Sequence, residues 1–204
     1  TNAMREAPDV LMIGEVRDRD TLRHAMIYAQ TGHLCLSTLH ANNSYHALNR
    51  IINFFPYEFR ASLLSDLAIS LKCVISQRLV RTVDGKLAPA VEVLMNTRHI
   101  AELIKDGQMD QIKDAMEQSL SPGSQTFEQA LCGMWKDGLV SRDEALRNAD
   151  SPSNLSNLMD YGAQGAAPLT DATDAAAAAV ARQPAGKEAS SFSAFTLNAD
   201  MLDK

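Results

Sequence analysis

Two stretches near the start of the chain combine residue types that can do chemistry. In the first, Glu15 follows the apolar run Val10-Leu11-Met12-Ile13-Gly14 and is followed by Val16-Arg17-Asp18. A carboxylate at the end of a strand can position or polarise a water for attack on a phosphoryl group, and a guanidinium such as Arg17 can offset the charge that develops. The same residues also suit a plainer purpose, with Glu15 and Asp18 opening a helix and Arg17 and Arg19 pairing with them. The second stretch is Thr31-Gly32-His33-Leu34-Cys35-Leu36-Ser37-Thr38-Leu39-His40-Ala41-Asn42-Asn43. His33 and His40 bracket its apolar centre. Their odd spacing starts them on opposite faces of a strand, so they do not make one metal site. His40 falls at the carboxyl end, where open α/β sheets bind ligands, and can hydrogen-bond a terminal phosphate oxygen there. A histidine in a capping turn is more often structural. His24, His46 and His99 lie on or beside expected helices and are given no chemistry.

The elements that must position these groups follow from periodicity. The run 10–14 reads as a strand buried on both faces of a parallel sheet. Asp18 or Asp20 can cap a helix with Leu22, Ala25, Met26 and Ala29 inward and Gly32 as its stop. Residues 34–39 read as a second buried strand, so the order is strand, helix, strand, the pattern of a βαβ unit. Asn42-Asn43-Ser44 offers caps for a helix carrying Leu48, Ile51, Ile52 and Phe55, stopped by Pro56, and Leu63, Leu64, Leu67 and Leu71 mark another. Residues 74–80 and 87–95 flank Asp84-Gly85, a hairpin signal, so the sheet is expected to end in an antiparallel pair, with Pro89 at an edge. From Thr97 the pattern turns to short helices, with stops near Gly107, Pro122-Gly123 and Gly138, and a capping box from Ser141 to Glu144. After residue 160 the composition becomes alanine-rich with few large apolar residues, which reads as a flexible tail.

With 204 residues, 46% hydrophobic and 22% charged, the chain is globular on average. Its net charge of -6 argues against binding a phosphate backbone, so nucleic acid is not an expected partner. Cys35, Cys73 and Cys132 lack CxxC spacing and each sits in an apolar stretch, which reads as three buried thiols in a reducing, cytoplasmic setting. No run is long enough for a transmembrane helix, and the start, Thr-Asn-Ala-Met-Arg-Glu-Ala-Pro, lacks the features of a signal peptide.

Residues 4–18 resemble, position by position, the Walker B signature of the secretion and type IV pilus ATPases. Residues 31–43 resemble the histidine box of that superfamily and Ile75-Ser76-Gln77-Arg78-Leu79-Val80 its Gln-Arg-Leu segment, so three motifs occur in the family's order and spacing. Asn53-Phe54-Phe55-Pro56, the helical block after Thr97 and the ending Asn148-Ala149-Asp150 look most like the PilT- and PilU-type retraction motors. The resemblance covers about residues 4–158. It implies an α/β fold: the carboxyl-terminal portion of a RecA-like P-loop ATPase sheet over 1–97, then a small helical subdomain over 98–160, with the disordered tail over 161–204. By position, it makes Glu15 the residue that aligns the attacking water and His40 the sensor of the γ-phosphate. His33 supports the box from its other end and Arg17 and Asp18 organise the turn, so that the resemblance implies His40, His33 and Arg17 as nucleotide-binding residues. Gly14 stands where many P-loop enzymes have a metal-linked Asp, and in this the chain agrees with the family, whose members also lack that Asp. The resemblance further implies ATP and Mg²⁺ in the complete protein and a homo-hexamer or a mixed or stacked assembly with a second retraction ATPase. That assembly would work at an inner-membrane pilus platform protein, peripheral to the membrane.

Two departures qualify it. No GxxxxGKS or GxxxxGKT occurs, so the phosphate cradle is missing, and the chain is expected to be the carboxyl-terminal part of a longer motor that binds ATP weakly at best by itself. Where PilT-type members have an AIRNLIRE segment, this chain has Arg98-His99-Ile100-Ala101-Glu102-Leu103-Ile104-Lys105-Asp106, which together with the long tail looks more like the PilU type. A non-catalytic accessory subunit is the competing class. A secretion or pilus-assembly ATPase is the nearer alternative, though the cysteine spacing here supplies no four-cysteine zinc insertion.

Overall fold

The computed structural model describes residues 9–119 and 121–161. The opening of the first motif and, but for the backbone of Tyr161, the expected tail lie outside these described residues. In chain order the elements are β1 (Val10–Glu15), α1 (Arg19–Gln30), β2 (Leu34–Thr38), α2 (Ser44–Asn53), α3 (Tyr57–Ser70), β3 (Cys73–Arg81), β4 (Leu87–Met95), α4 (Arg98–Lys105), α5 (Ile112–Glu117), α6 (Phe127–Lys136), α7 (Arg142–Asn148) and α8 (Pro152–Tyr161).

The expected βαβ unit is present. β1 and β2 pair in parallel, Val10 opposite Leu34 and Glu15 opposite Thr38, with α1 between them in sequence. Asp18 starts α1 by accepting a hydrogen bond from the Thr21 amide at 2.8 Å, and Leu22, Ala25 and Met26 fall on the buried face. Gly32, at φ +96°, lets the chain leave α1 in a left-handed turn and enter β2. Asn43 caps α2 through the His46 amide, which fixes where the helix after the histidine box begins.

β3 and β4 form an antiparallel hairpin in unbroken register from Cys73 opposite Met95 to Arg81 opposite Leu87. Its even-numbered residues face inward. At one end Leu94 packs with Leu48, Leu67, Ile100, Ile104 and Ile112, joining α2, α3, α4 and α5. At the other, Val80 and Ala90 pack with Phe127, Leu131, Ala145 and Leu155, joining α6, α7 and α8. A third, smaller cluster of Val16, Leu22, Met26 and Leu63 seats β1 on α1 and α3.

Glu128, on the first turn of α6, is fully buried. One of its carboxylate oxygens accepts from Lys113 Nζ and from the Ser151 amide, each at 2.8 Å, so a single side chain ties α5 and α6 to the start of α8. Thr126 and Gln129 close a reciprocal capping box on α6.

Three expectations change. The sheet is not continuous: among the described residues β1-β2 and β3-β4 are two separate two-stranded sheets, because α2 and α3 intervene and no ladder joins β2 to β3. Nor are β1 and β2 buried on both faces. Met12 is 68% exposed and Val10, Leu34 and Leu36 are about half exposed, since among the described residues α1 packs on one side of the pair only. Finally, Cys132 is buried and Cys35 half-buried, but Cys73 is exposed, because it holds an odd, outward position of β3.

Candidate functional site

Glu15, Arg17 and His40 meet where the parallel pair ends. The pairing slips between Ile13 and Glu15, so that Glu15 rather than Gly14 stands opposite Thr38. The Thr38 hydroxyl donates to the Gly14 carbonyl, and the Val16 amide donates to the Thr38 carbonyl at 2.9 Å. These bonds occupy the backbone groups of the irregular step and leave the Glu15 side chain at the carboxyl end of β1, about one-fifth exposed. One oxygen of its carboxylate accepts from Arg17 Nε at 2.6 Å. The other lies 3.1 Å from His40 Nε2.

The electrostatics follow from these contacts. The Arg17 hydrogen bond, outweighing what burial does in the other direction, holds the Glu15 carboxyl below its ordinary 4.5, with His40 and Arg50 adding smaller pulls the same way. Glu15 is therefore ionised at neutral pH, the state a water-aligning group requires. Arg17 is raised in turn by its bond to Glu15. The His40 ring is four-fifths exposed and free to meet a ligand, while its backbone is held, its carbonyl accepting from Arg50 Nη1 at 3.1 Å.

His33 is not part of this group. It sits at the opposite end of β2, where Nδ1 lies 3.2 Å from the Tyr28 carbonyl and 3.1 Å from the Thr31 hydroxyl, so it fastens the end of α1 to the start of the strand. Asp18 is turned to its cap. Thr38 and Arg50 were not singled out from the sequence. Thr38 belongs to the histidine box and could have been found by asking what occupies the backbone where that strand ends. Arg50 gave no local sign, since it acts across ten residues from an otherwise ordinary helix.

Behind the His40 loop lies a second polar group. Arg78 of β3 donates to the carbonyls of Asn42 and Asn148 and to the Asp150 carboxylate, and its guanidinium stacks on the Phe127 ring at 3.9 Å. Asn43 Nδ2 donates to the other Asp150 oxygen at 2.8 Å. Glu92 of β4, nearly fully buried, accepts from the amide and the hydroxyl of Ser44, both at 2.7 Å, at the start of α2. Burial pushes the Glu92 carboxyl above its ordinary 4.5 despite those two bonds. The fold thus favours the protonated form, so the stability Glu92 contributes is complete below 4.5 and is lost as pH rises through its folded-state value. Melting temperatures of wild type and Glu92→Gln measured from pH 4.5 to 8 are expected to move steadily in the variant's favour; a difference independent of pH would sink this assignment.

One ionised carboxylate beside an imidazole and two guanidiniums fits the terminal-phosphate end of a nucleotide. It does not make a metal centre by itself, and among the described residues no three His, Cys, Asp or Glu side chains converge.

A carboxylate and an imidazole meeting beyond two parallel strands define a class once the sequence around them is compared. The family model for the type II/IV secretion system protein matches residues 1–118, and the chain belongs to that family. It is 47% identical over 167 residues to the type IV pilus ATPase PilU of Pseudomonas aeruginosa, covering 81% of this chain and 44% of that protein. It is 37% identical over 153 residues to the type IV pilus retraction ATPase PilT of the same organism, covering 75% of this chain and 44% of PilT. The higher identity to PilU agrees with the changed segment after Thr97. Among solved structures, the crystal structure of the pilus retraction motor PilT with bound ADP matches with a TM-score of 0.68 and 33% identity over 76% of this chain and 43% of that one. The ATPase DotB of Yersinia pseudotuberculosis matches with a TM-score of 0.64 and 28% identity over 72% of this chain and 38% of that one. The chain spans less than half the length of these relatives.

Proposed function

We propose that the chain is the water-positioning half of a motor ATPase that powers retraction of type IV pili. In this reading Glu15 aligns the water that attacks the γ-phosphate of ATP, and His40 donates from its imidazole to a γ-phosphate oxygen. Arg17 holds Glu15 ionised and aimed, and His33 braces the far end of the box. Residues 1–97 carry the nucleotide face, 98–160 the helices that support it, and 161–204 an appended tail. Mg²⁺ would supply charge neutralisation on the phosphates when bound in the complete protein. The reading extends to a cytoplasmic hexamer, of one chain or mixed with a second retraction ATPase, working against an inner-membrane platform protein. Among the described residues no helix is long and apolar enough to cross a membrane.

The observation that supports it most is the contact of Glu15 with His40 at the carboxyl end of the β1-β2 pair, in a chain of this family. ATP binding and hydrolysis should be compared between the 204 residues alone and the complete protein with an upstream phosphate loop. Activity confined to the longer form is expected. Inactivity of both, with the assembly intact, would move the reading to an accessory subunit without turnover.

A further inference from the structure

His40 owes its place to its backbone. Its ring is four-fifths exposed and touches Glu15, so no packed surface fixes where the imidazole stands when Glu15 turns to other work. What fixes it is its backbone, held by Arg50 of α2 at the His40 carbonyl and by the short connection to α2, and that connection is gripped from outside the strand pair. Arg78 reaches across 36 positions to the Asn42 carbonyl at 3.2 Å. The same guanidinium holds Asp150, 72 positions away, and Asp150 holds Asn43. Its plane rests on Phe127 and its remaining arm takes the Asn148 carbonyl. Only a rigid fork with five donors can serve so many directions at once, which is a task for arginine and not for lysine. Arg78 is 19% and Asp150 23% exposed, so water competes weakly for the pair.

We propose that Arg78 and Asp150 form a clamp that positions His40 through the Asn42-Asn43 turn, and that the helices from Phe127 onward are thereby coupled to nucleotide sensing. The inference rests on the role given to His40 above. Arg78 and Asp150 touch no reacting atom in it; they are positioning residues, and any shift of α6 or of the α7-α8 connection is passed through two hydrogen bonds to the loop that carries the imidazole. The three sequence motifs met separately along the chain, the end of the histidine box, the Gln-Arg-Leu segment and the Asn-Ala-Asp ending, are then parts of one device.

The test is a mutant cycle in the complete protein, reading kcat and KM for ATP, the affinity for ADP and the melting temperature. Asp150→Asn weakens the grip on Arg78, while Asn43→Ser keeps a good helix cap and cuts the link to Asp150, at the cost of the contact between Asn43 Oδ1 and the His46 ring, which His46→Ala alone controls for. Each is expected to lower kcat about tenfold, the scale of a small misplacement of a catalytic group, with ADP affinity unchanged. In a His40→Gln background, Asp150→Asn is expected to cost nothing further, because its effect passes through His40. Losses that simply add, or a wild-type kcat in Asn43→Ser, would overturn the clamp. Should Asp150→Asn fail to fold, Asn43→Ser carries the same cycle. If His40→Gln itself leaves kcat untouched, the role given to His40 falls. The clamp is then read from hydrogen exchange of residues 40–46: faster exchange in Asn43→Ser supports it, and unchanged exchange refutes it.

Discussion

Replacing Glu15 by Gln in the complete protein is expected to lower ATP hydrolysis by about 10²- to 10⁴-fold while ATP affinity stays within about threefold, the range a positioned proton acceptor contributes. Gln has the same shape and can still accept from Arg17 through its amide oxygen, so the turn after β1 should survive. What disappears is the negative charge beside the water. Nucleotide binding is expected to persist, because in the proposed reading it is His40, not the carboxylate, that meets the phosphate. The depressed pKa adds a second handle. Held below its ordinary 4.5 by Arg17, Glu15 is ionised throughout pH 5.5 to 7, so a decline in rate over that range belongs to another group. Single-turnover hydrolysis and equilibrium ATP binding, measured on the same preparation, separate the two effects. Near-normal turnover would reduce Glu15 to an ion-pair partner of Arg17.

The largest effect on stability is expected from Phe127→Ala. The ring is fully buried among Val80, Leu131, Val140 and Leu155, and it carries the Arg78 guanidinium on its face at 3.9 Å. Removing a buried aromatic ring costs about 3–5 kcal/mol in lost transfer and cavity formation. Losing the stacked cation adds roughly 1 kcal/mol at a partly exposed site. For a chain of this size that corresponds to a fall in melting temperature of about 8–24 °C. Leu131→Ala, in the same cluster but away from Arg78, gives the comparison, since it opens a cavity without freeing the guanidinium. Chemical denaturation of both variants measures the difference, and equal losses would show that the stacking contributes nothing to stability.

Local rules carried much of this molecule. Asp18, Asn43 and Ser141 each cap the helix that their spacing announced, and Asp84-Gly85 sits in the loop of an antiparallel hairpin. These are contacts within a few residues, where side-chain chemistry and backbone geometry are fixed by neighbours in sequence. The meeting of Glu15 and His40 was legible too, because two adjacent parallel strands must bring their ends together. The Arg78 cluster was not, although its residues had been noticed as motifs. A pairing across 72 positions depends on how α6, α7 and α8 dock on the hairpin, and no periodicity encodes that. The exposure of Met12 and Leu36 was missed for a related reason. An apolar run says what a strand tolerates on each face, not which faces other elements cover. His33 was assigned to the nucleotide region with the rest of its box, yet its partners are Tyr28 and Thr31, at the far end of the strand.

The carboxylate of Glu128 answers for the start of two helices, lying in the first turn of α6 and receiving the amide of Ser151 ahead of α8. A chain trimmed at residue 150 would strip that amide away and remove Leu155 and Met159 from the cluster around Phe127. It would leave a buried charge with Lys113 as its remaining partner. Any piece that keeps the Phe127 cluster and the Glu128 contact must therefore include α8, which counts as interior rather than as a dispensable end.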